Sequence, residues 1–276
     1  MKVSLINRNQ QSVIMIFLSS IRNHKIFARI TLLVIFLLCS FSAKSQTKYS
    51  ANSVIISGST NLDYTKLRQY GITFNIYLQG PQKNDSLGTL HDRLKILEGE
   101  GQVERTQVMN LMNQPEHVDS VRAKNHSLEP IFHYSRNKTR KIELHYENGD
   151  VTGKYTPSSG DVIAIEDSFN LRPFDSNWLD IILQLLSLVE NYHISVLTHE
   201  VNANGQSGLV SYEIEVVGQT QITDSQENMF DVWKVLTQKE DQETTFYIEK
   251  KSKEVIKIVS PVSSEQAMIL ERTYRQ

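Results

Sequence analysis

The chain has 276 residues, of which 39% are hydrophobic and 22% are charged. This composition is typical of a globular protein with a sizeable core, and it excludes an intrinsically disordered chain. The formal net charge of -2 supplies no field that attracts phosphate backbones. Nucleic acid is therefore not an expected partner.

The first 45 residues have the pattern of an export signal. Basic residues precede the apolar run ITLLVIFLLCSFSA, and the first acidic residue of the chain is Asp63. The run is shorter than the ~20 residues that a membrane-spanning helix needs, and Ala43 and Ser45 are small residues suited to a cleavage site. We predict a signal peptide over residues 1–45, cleaved before Gln46, and a single domain over 46–276. The alternative is an uncleaved anchor that tethers this domain.

The only cysteine, Cys39, lies inside the apolar run. A mature chain that begins at Gln46 therefore has no disulfide, thiol nucleophile or thiolate metal site. Leu38 precedes Cys39 where a bacterial lipoprotein signal has a small residue, which disfavours lipidation. The expected location is the periplasm, either free or tethered to the membrane by the N-terminal segment.

Alternation of apolar and polar residues predicts strands through most of the remaining chain. The segment YGITFNIYLQG is one example, and GLVSYEIEVVG is another. Turns at Asn137-Lys138 and Asn148-Gly149 divide HYSRNKTRKIELHYENGDVTGKYTP into three strands, and TTFYIEKKSKEVIKIVS forms a hairpin that turns at 251–253. The period-two rule gives about ten strands in all. Apolar and polar residues alternate along these strands, as in an antiparallel sheet with one solvent-exposed face.

One segment, FDSNWLDIILQLLSLVENYHISV, is far more apolar than the strands around it. We predict a helix over 176–191, with Asp175 or Ser176 as its N-cap. At 100° per residue, its polar residues Asp180, Gln184, Ser187 and Asn191 form one narrow stripe. A helix with so wide an apolar face must be enclosed on more than one side. The predicted fold class is therefore mainly β, with a single curved, unclosed antiparallel sheet wrapped round one strongly apolar helix.

The apolar side of this helix supplies the candidate binding residues. Ile181, Leu183 and Leu188 lie at its margins. An ordinary packed core is one interpretation of this face, and a ligand cavity between helix and sheet is the other. The six candidate ligand-binding residues are Trp178, Leu179, Ile182, Leu185, Leu186 and Val189.

No catalytic or metal-binding signature is complete. His133 and His145 flank a predicted hairpin but lack a third ligand at a suitable spacing. The segment NGQSGL has Leu209 where the G-x-S-x-G motif of serine hydrolases requires its last glycine. We therefore predict no catalytic residues, no metal site, no cofactor and no enzymatic activity.

The chain resembles a bacterial family named only as domain of unknown function 3108, within the LolA/LolB-like superfamily of lipoprotein-localisation proteins. The segments that carry the likeness are LEPIFHY, GDVTGKYTP, FDSNWLDIILQLLSL, WKVLTQ and TTFYIEKKSKEVIKI, which extend roughly over 121–258. The resemblance implies an exported, unclosed antiparallel barrel around helical segments, with an apolar interior that in relatives receives lipoprotein acyl chains. Residues 46–120 carry no part of it.

These observations predict an exported, non-enzymatic module that binds an acyl chain, a lipid or another apolar ligand between the helix and the curved sheet. The expected partner is then a lipid or a lipoprotein acyl chain. The alternative is an interaction or scaffold protein of the cell envelope, with a filled core and a protein partner. An empty interior favours the first function, and a full interior favours the second.

Overall fold

The computed structural model describes residues 54–224 and 226–273. In this part of the chain it contains sixteen β-strands, one α-helix and two 3-10 segments. The first nine strands are β1 (Val54–Ile55), β2 (Tyr70–Gln79), β3 (Asn84–Leu97), β4 (Gln102–Leu111), β5 (His117–Lys124), β6 (Pro130–Arg136), β7 (Arg140–Glu147), β8 (Asp150–Pro157) and β9 (Ile163–Ser168). The others are β10 (Phe174–Asp175), β11 (His193–Val201), β12 (Ser207–Thr223), β13 (Met229–Lys239), β14 (Gln242–Glu249), β15 (Val255–Pro261) and β16 (Ala267–Thr273).

The predicted signal peptide, its cleavage site and Cys39 lie outside the described residues. The division of the chain at residue 46 therefore stays a prediction. Within the described ranges, no helix is long and apolar enough to cross a membrane.

The strands form one sheet in the order β1-β11-β12-β13-β14-β15-β16-β2-β3-β4-β5-β6-β7-β8-β9, and β10 also pairs with β11. Two antiparallel meanders, β2 to β9 and β11 to β16, are joined where β16 pairs with β2. The short strands β1 and β10 run parallel to β11. The order of the described strands starts at β1 and stops at β9, so this sheet is unclosed. The prediction of a mainly β fold built on a single unclosed sheet is confirmed.

Local turn chemistry explains the predicted hairpins. Asn148 and Gly149 have φ angles of 54° and 94° and connect β7 to β8, as the Asn-Gly signal predicts. The Asn137 side-chain oxygen accepts the backbone N–H groups of Thr139 and Arg140 at 2.8 and 3.0 Å, which fixes the turn between β6 and β7. The hairpin of β14 and β15 turns within the predicted residues, where Lys253 has a φ of 64°.

The prediction of about ten strands was too low. Strands β1 and β10 have two residues each and are defined only by their pairing with β11, so no local sequence pattern predicts them. Strand β5, with the sequence HVDSVRAK, carries polar residues on both faces and therefore lacks the alternation that identifies a strand.

The helix is shorter than its sequence pattern predicts. Ser176–Trp178 form a 3-10 turn, and the α-helix α1 covers Leu179–Leu185. The Asp175 carboxylate accepts the Asn177 N–H at 2.9 Å, so Asp175 is the N-cap. The predicted continuation of the helix to Asn191 is wrong.

A distant segment of the chain ends α1. Leu186 is extended and forms an antiparallel bridge with Leu62, and the Leu185 carbonyl oxygen accepts the Asp63 N–H at 3.1 Å. These bonds satisfy backbone groups that a longer helix would otherwise satisfy itself. Val189, which the helical projection places on the apolar side, lies beyond this end and is 57% exposed.

Candidate functional site

A buried arginine connects α1 to the sheet. Arg105, on β4, donates two hydrogen bonds to Asp92 of β3, at 2.9 and 2.5 Å. The same guanidinium donates two bonds of 2.6 Å to Asp180 in the first turn of α1 and a further bond to the Asn177 carbonyl oxygen. Tyr70 donates its hydroxyl to Asp92 at 3.1 Å. We call Arg105, Asp92, Asp180 and Tyr70 the Arg105 cluster.

Electrostatics in the Arg105 cluster favour the charged arginine. Burial alone would lower the pKa of Arg105, but the carboxylates of Asp180 and Asp92 reverse this effect and raise it well above its usual range. For Tyr70, burial is the main cause of a pKa well above the ordinary value. The guanidinium is therefore a permanent cation that holds the first turn of α1 against two strands.

A second buried cluster holds the residues just before the helix. His133 of β6 contacts Asp175 of β10 through Nδ1 and Oδ2, 2.6 Å apart, and Tyr146 of β7 donates its hydroxyl to the same oxygen at 2.9 Å. The Tyr146 hydroxyl is also 3.0 Å from Nδ1 of His199, whose Nε2 is 3.1 Å from the Asp167 carboxylate. We call these five residues the His133 cluster. Because Asp167 lies on β9 and His199 on β11, the His133 cluster also connects β9, the last strand of the sheet order, to β11.

His133 and Asp175 each favour the charged form of the other. Burial would lower the pKa of His133, yet the Asp175 carboxylate raises it above its ordinary value. Burial would raise the pKa of Asp175, yet His133 lowers it. Together, the Arg105 and His133 clusters attach both ends of a six-residue stretch, Asp175 to Asp180, to four different strands.

The buried hydrogen-bond donors without an acceptor among the described residues include groups on two side chains of interest. One is the indole N–H of Trp178, whose side chain is fully buried. The other is the guanidinium of Arg140, in which both Nε and Nη1 are buried. Buried polar groups in native proteins nearly always have a partner, so an oxygen atom within hydrogen-bond distance would satisfy each of these donors.

A family model described as a protein of unknown function (DUF3108) matches residues 96–270. The match spans more than half of the chain. The chain belongs to the DUF3108 family. The match begins earlier than the resemblance predicted, and it includes Arg105, Arg140, Asp175 and Asp180 but not Asp92.

Other comparisons add little to the DUF3108 assignment. No curated protein matches this DUF3108 chain significantly. Among solved structures, it is similar to a "Beta-barrel-like Protein of Domain of Unknown Function DUF1849 from Brucella abortus", with 11% identity and a TM-score of 0.47. That similarity covers 75% of this chain and 96% of the other.

The structure buries four of the six predicted ligand-binding residues of this DUF3108 chain almost completely. Trp178, Ile182, Leu185 and Leu186 are at most 2% exposed, and Leu179 is partly buried. The margin residues Ile181, Leu183 and Leu188 are also buried. Val189 lies apart from them in an exposed turn. Whether any of these residues contacts a ligand stays a prediction.

The polar stripe of the predicted helix is not simply a solvent-facing one. Asp180 binds the buried Arg105, and its side chain is only 20% exposed. Gln184 is partly buried and donates its side-chain amide to the Asp180 carbonyl oxygen at 3.1 Å.

The histidines that were considered as metal ligands are separated. His133 pairs with Leu144 and His145 with Phe132, so the two side chains point to opposite faces of the sheet. His145 packs on the Phe132 ring, with ring centres 5.2 Å apart. Among the described residues, no group of three or more His, Cys, Asp or Glu side chains is arranged to hold a metal ion.

A shallow depression of about 240 Å³, a volume that includes open solvent, lies over the hairpin of β7 and β8. Glu129 and Arg172 line it, with Nη1 of Arg172 3.1 Å from the glutamate, and Tyr146 connects it to the His133 cluster. None of the six predicted ligand-binding residues lines this depression.

Proposed function

We propose that the protein is an exported, non-enzymatic module that binds an acyl chain, a lipid or another apolar ligand between α1 and the buried face of the sheet. The observation that carries the proposal is the indole of Trp178, which is fully buried in an apolar segment with its N–H unpaired among the described residues. An unpaired buried donor costs about 1–3 kcal/mol. An oxygen-bearing apolar ligand beside the ring offsets this cost.

The manner in which α1 is attached supports the same function. Asp175, Asn177 and Asp180 make the polar bonds to His133 and Arg105, whereas the side chains of Ile182 and Leu185 contribute only apolar surface. Hydrophobic contact is not directional, so an acyl chain can share this surface while the ionic bonds keep the segment in place. The resemblance to LolA/LolB-like proteins implies a ligand of the same class.

A binding role without catalysis agrees with the buried histidines. The side chain of His199 is 0% exposed, and that of His133 is 12% exposed and bonded to Asp175. Neither imidazole is presented to a substrate in solution. The basic, acid-free N-terminus supports export to the periplasm, with the membrane tether as the alternative.

The proposal is tested by lipid analysis and by titration. Solvent extracts of the purified protein should contain copurified lipid, and a fluorescent fatty acid such as cis-parinaric acid should bind at a saturable site. Leu186→Ala widens the space between helix and sheet and should change the affinity. Gln184→Ala, in the partly exposed stripe, is the control and should not. Extracts without lipid above background, together with a titration that shows no saturable site, refute the proposal.

The second candidate function is that of a cell-envelope interaction protein with a filled core. It is favoured by the complete burial of Trp178, Ile182 and Leu186, each 0% exposed. In this case the Trp178 N–H bonds to a buried water, and the function lies on the edges or loops of the sheet. A negative titration and lipid-free extracts would support this second function.

A further inference from the structure

Arg140 stands where the buried face of the sheet meets solvent. It is the first residue of β7, directly after the exposed turn residues Lys138 and Thr139. Side chains alternate along a strand, so Arg140 shares its face with Ile142 and Leu144, which belong to a buried apolar cluster. Ile142 and Leu144 are only 2% and 1% exposed, so the guanidinium lies at the rim of a closed apolar core.

The guanidinium of Arg140 has no carboxylate within ion-pair distance among the described residues. Burial lowers the pKa of Arg140, and the nearby charge of Asp119 only partly opposes this effect. Asp119 is itself bonded to His117, with Nε2 and Oδ2 3.2 Å apart, and to Ser135. The carboxylate that acts on Arg140 is therefore already occupied.

Buried charges in proteins are paired, because an unpaired charge loses its hydration without compensation. A single water molecule can accept one N–H of Arg140, but it supplies no negative charge. A carboxylate supplies both a hydrogen-bond acceptor and a negative charge, and its geometry matches the planar donors of a guanidinium.

We propose that Arg140 binds the carboxylate of a long-chain acyl ligand at the rim of this core. This inference rests on the proposed function and specifies the chemistry of the ligand's polar end. Tyr155, which pairs with Ile142 across β7 and β8, borders the same place.

The test compares three probes on the full-length protein by isothermal titration: palmitate, methyl palmitate and acetate. Arg140→Gln should weaken palmitate binding by about tenfold to a hundredfold, the range for loss of a charge-assisted hydrogen bond. It should leave methyl palmitate binding unchanged. Arg136→Gln, at an exposed arginine on the neighbouring strand, is the matched control and should bind palmitate like the wild type. Acetate should bind far more weakly than palmitate, because it lacks the chain.

Thermal unfolding of the ligand-free variants separates binding from folding. Arg140→Gln removes an unpaired charge, so its melting temperature without ligand should equal or exceed that of the wild type. Arg140→Lys keeps the charge but loses the planar donor pair, and it should have an intermediate palmitate affinity.

Several results would overturn the inference. Unchanged palmitate affinity in Arg140→Gln would do so, as would acetate binding as tight as that of palmitate. A ligand-free Arg140→Gln protein that unfolds or melts several degrees lower would identify Arg140 as a structural residue instead. If methyl palmitate binds the wild type and Arg140→Gln has no effect on palmitate, only this inference fails. If neither palmitate nor methyl palmitate binds the wild type, the proposed function fails with it.

Discussion

Replacing Arg105 with methionine should destabilise the protein more than any comparable change of a surface arginine. The substitution removes the cation between Asp92 and Asp180, whose side chains are only 1% and 20% exposed. Removing one partner of a buried ion pair typically costs 3–5 kcal/mol, and for a chain of this size this corresponds to a melting temperature lowered by about 6–20 °C. Asp92 would then remain buried with only the Tyr70 hydroxyl as a partner.

The chain offers a matched control on the neighbouring strand. Arg122 of β5 donates to Glu104 at 2.9 Å, a similar bond, but its side chain is 46% exposed. Surface pairs contribute about 0–1 kcal/mol, so Arg122→Met should change the melting temperature by only about 0–4 °C. Thermal unfolding followed by circular dichroism measures both. A triple variant that also converts Asp92 and Asp180 to asparagine should recover part of the loss, because no carboxylate is left uncompensated. Equal shifts for Arg105→Met and Arg122→Met would refute the interpretation of the Arg105 cluster as the anchor of α1.

Three further predictions concern the helix, pH and export. Ile182→Asp places a carboxylate at a fully buried position and should lower the free energy of unfolding by several kcal/mol, whereas Gln184→Asp should change it little; equal effects in urea titrations would contradict the burial of α1. The pKa of His133 is raised above its ordinary 6.5, so the stability that His133 contributes should be complete below pH 6.5 and should decrease as the pH rises through the pKa of the folded protein. The pKa of Asp175 is lowered from 3.8, so the stability that Asp175 contributes should decrease only as the pH falls through its pKa in the folded protein. Urea unfolding measured from acidic to alkaline pH should show the loss of stability at high pH in the wild type but not in His133→Gln. Identical pH profiles for the two proteins would argue against the His133–Asp175 pair. Intact-mass measurement on protein from the native host should find a chain that begins at Gln46, and a full-length mass would favour the membrane anchor.

The parts of the fold that were predictable are those that local chemistry determines. The Asn148-Gly149 turn follows from two residues that tolerate a positive φ, and the alternation in β2 follows from the burial of Phe74 and Ile76 on one face. The end of α1 was not predictable in this way, because the bridge that ends it joins Leu186 to Leu62, far away in the sequence.

The candidate site was predictable only in part, because some of its contacts join residues that are far apart in the sequence. The apolar residues of the segment were identifiable from their helical spacing, but the partners of Asp180 and Asp175 lie on distant strands. One signal in the sequence does point to the buried arginine. Arg105 lies two residues after Val103 in β4, on the same face of the strand, and an arginine on an apolar face implies a buried counter-ion. The sequence does not show which carboxylate provides it.

The short strand Phe174–Asp175 also has a protective role. It covers β11 at Thr198 and His199, and β1 covers the same strand at Ser195 and Val196, so two short segments together mask a backbone edge that would otherwise be free to pair. Because only the 3-10 turn Ser176–Trp178 separates β10 from α1, any variant that releases the helix should also uncover part of this edge. Loss of the ionic anchors should therefore lead to self-association through exposed strand backbone, and such variants should precipitate well below the temperature at which the rest of the sheet unfolds.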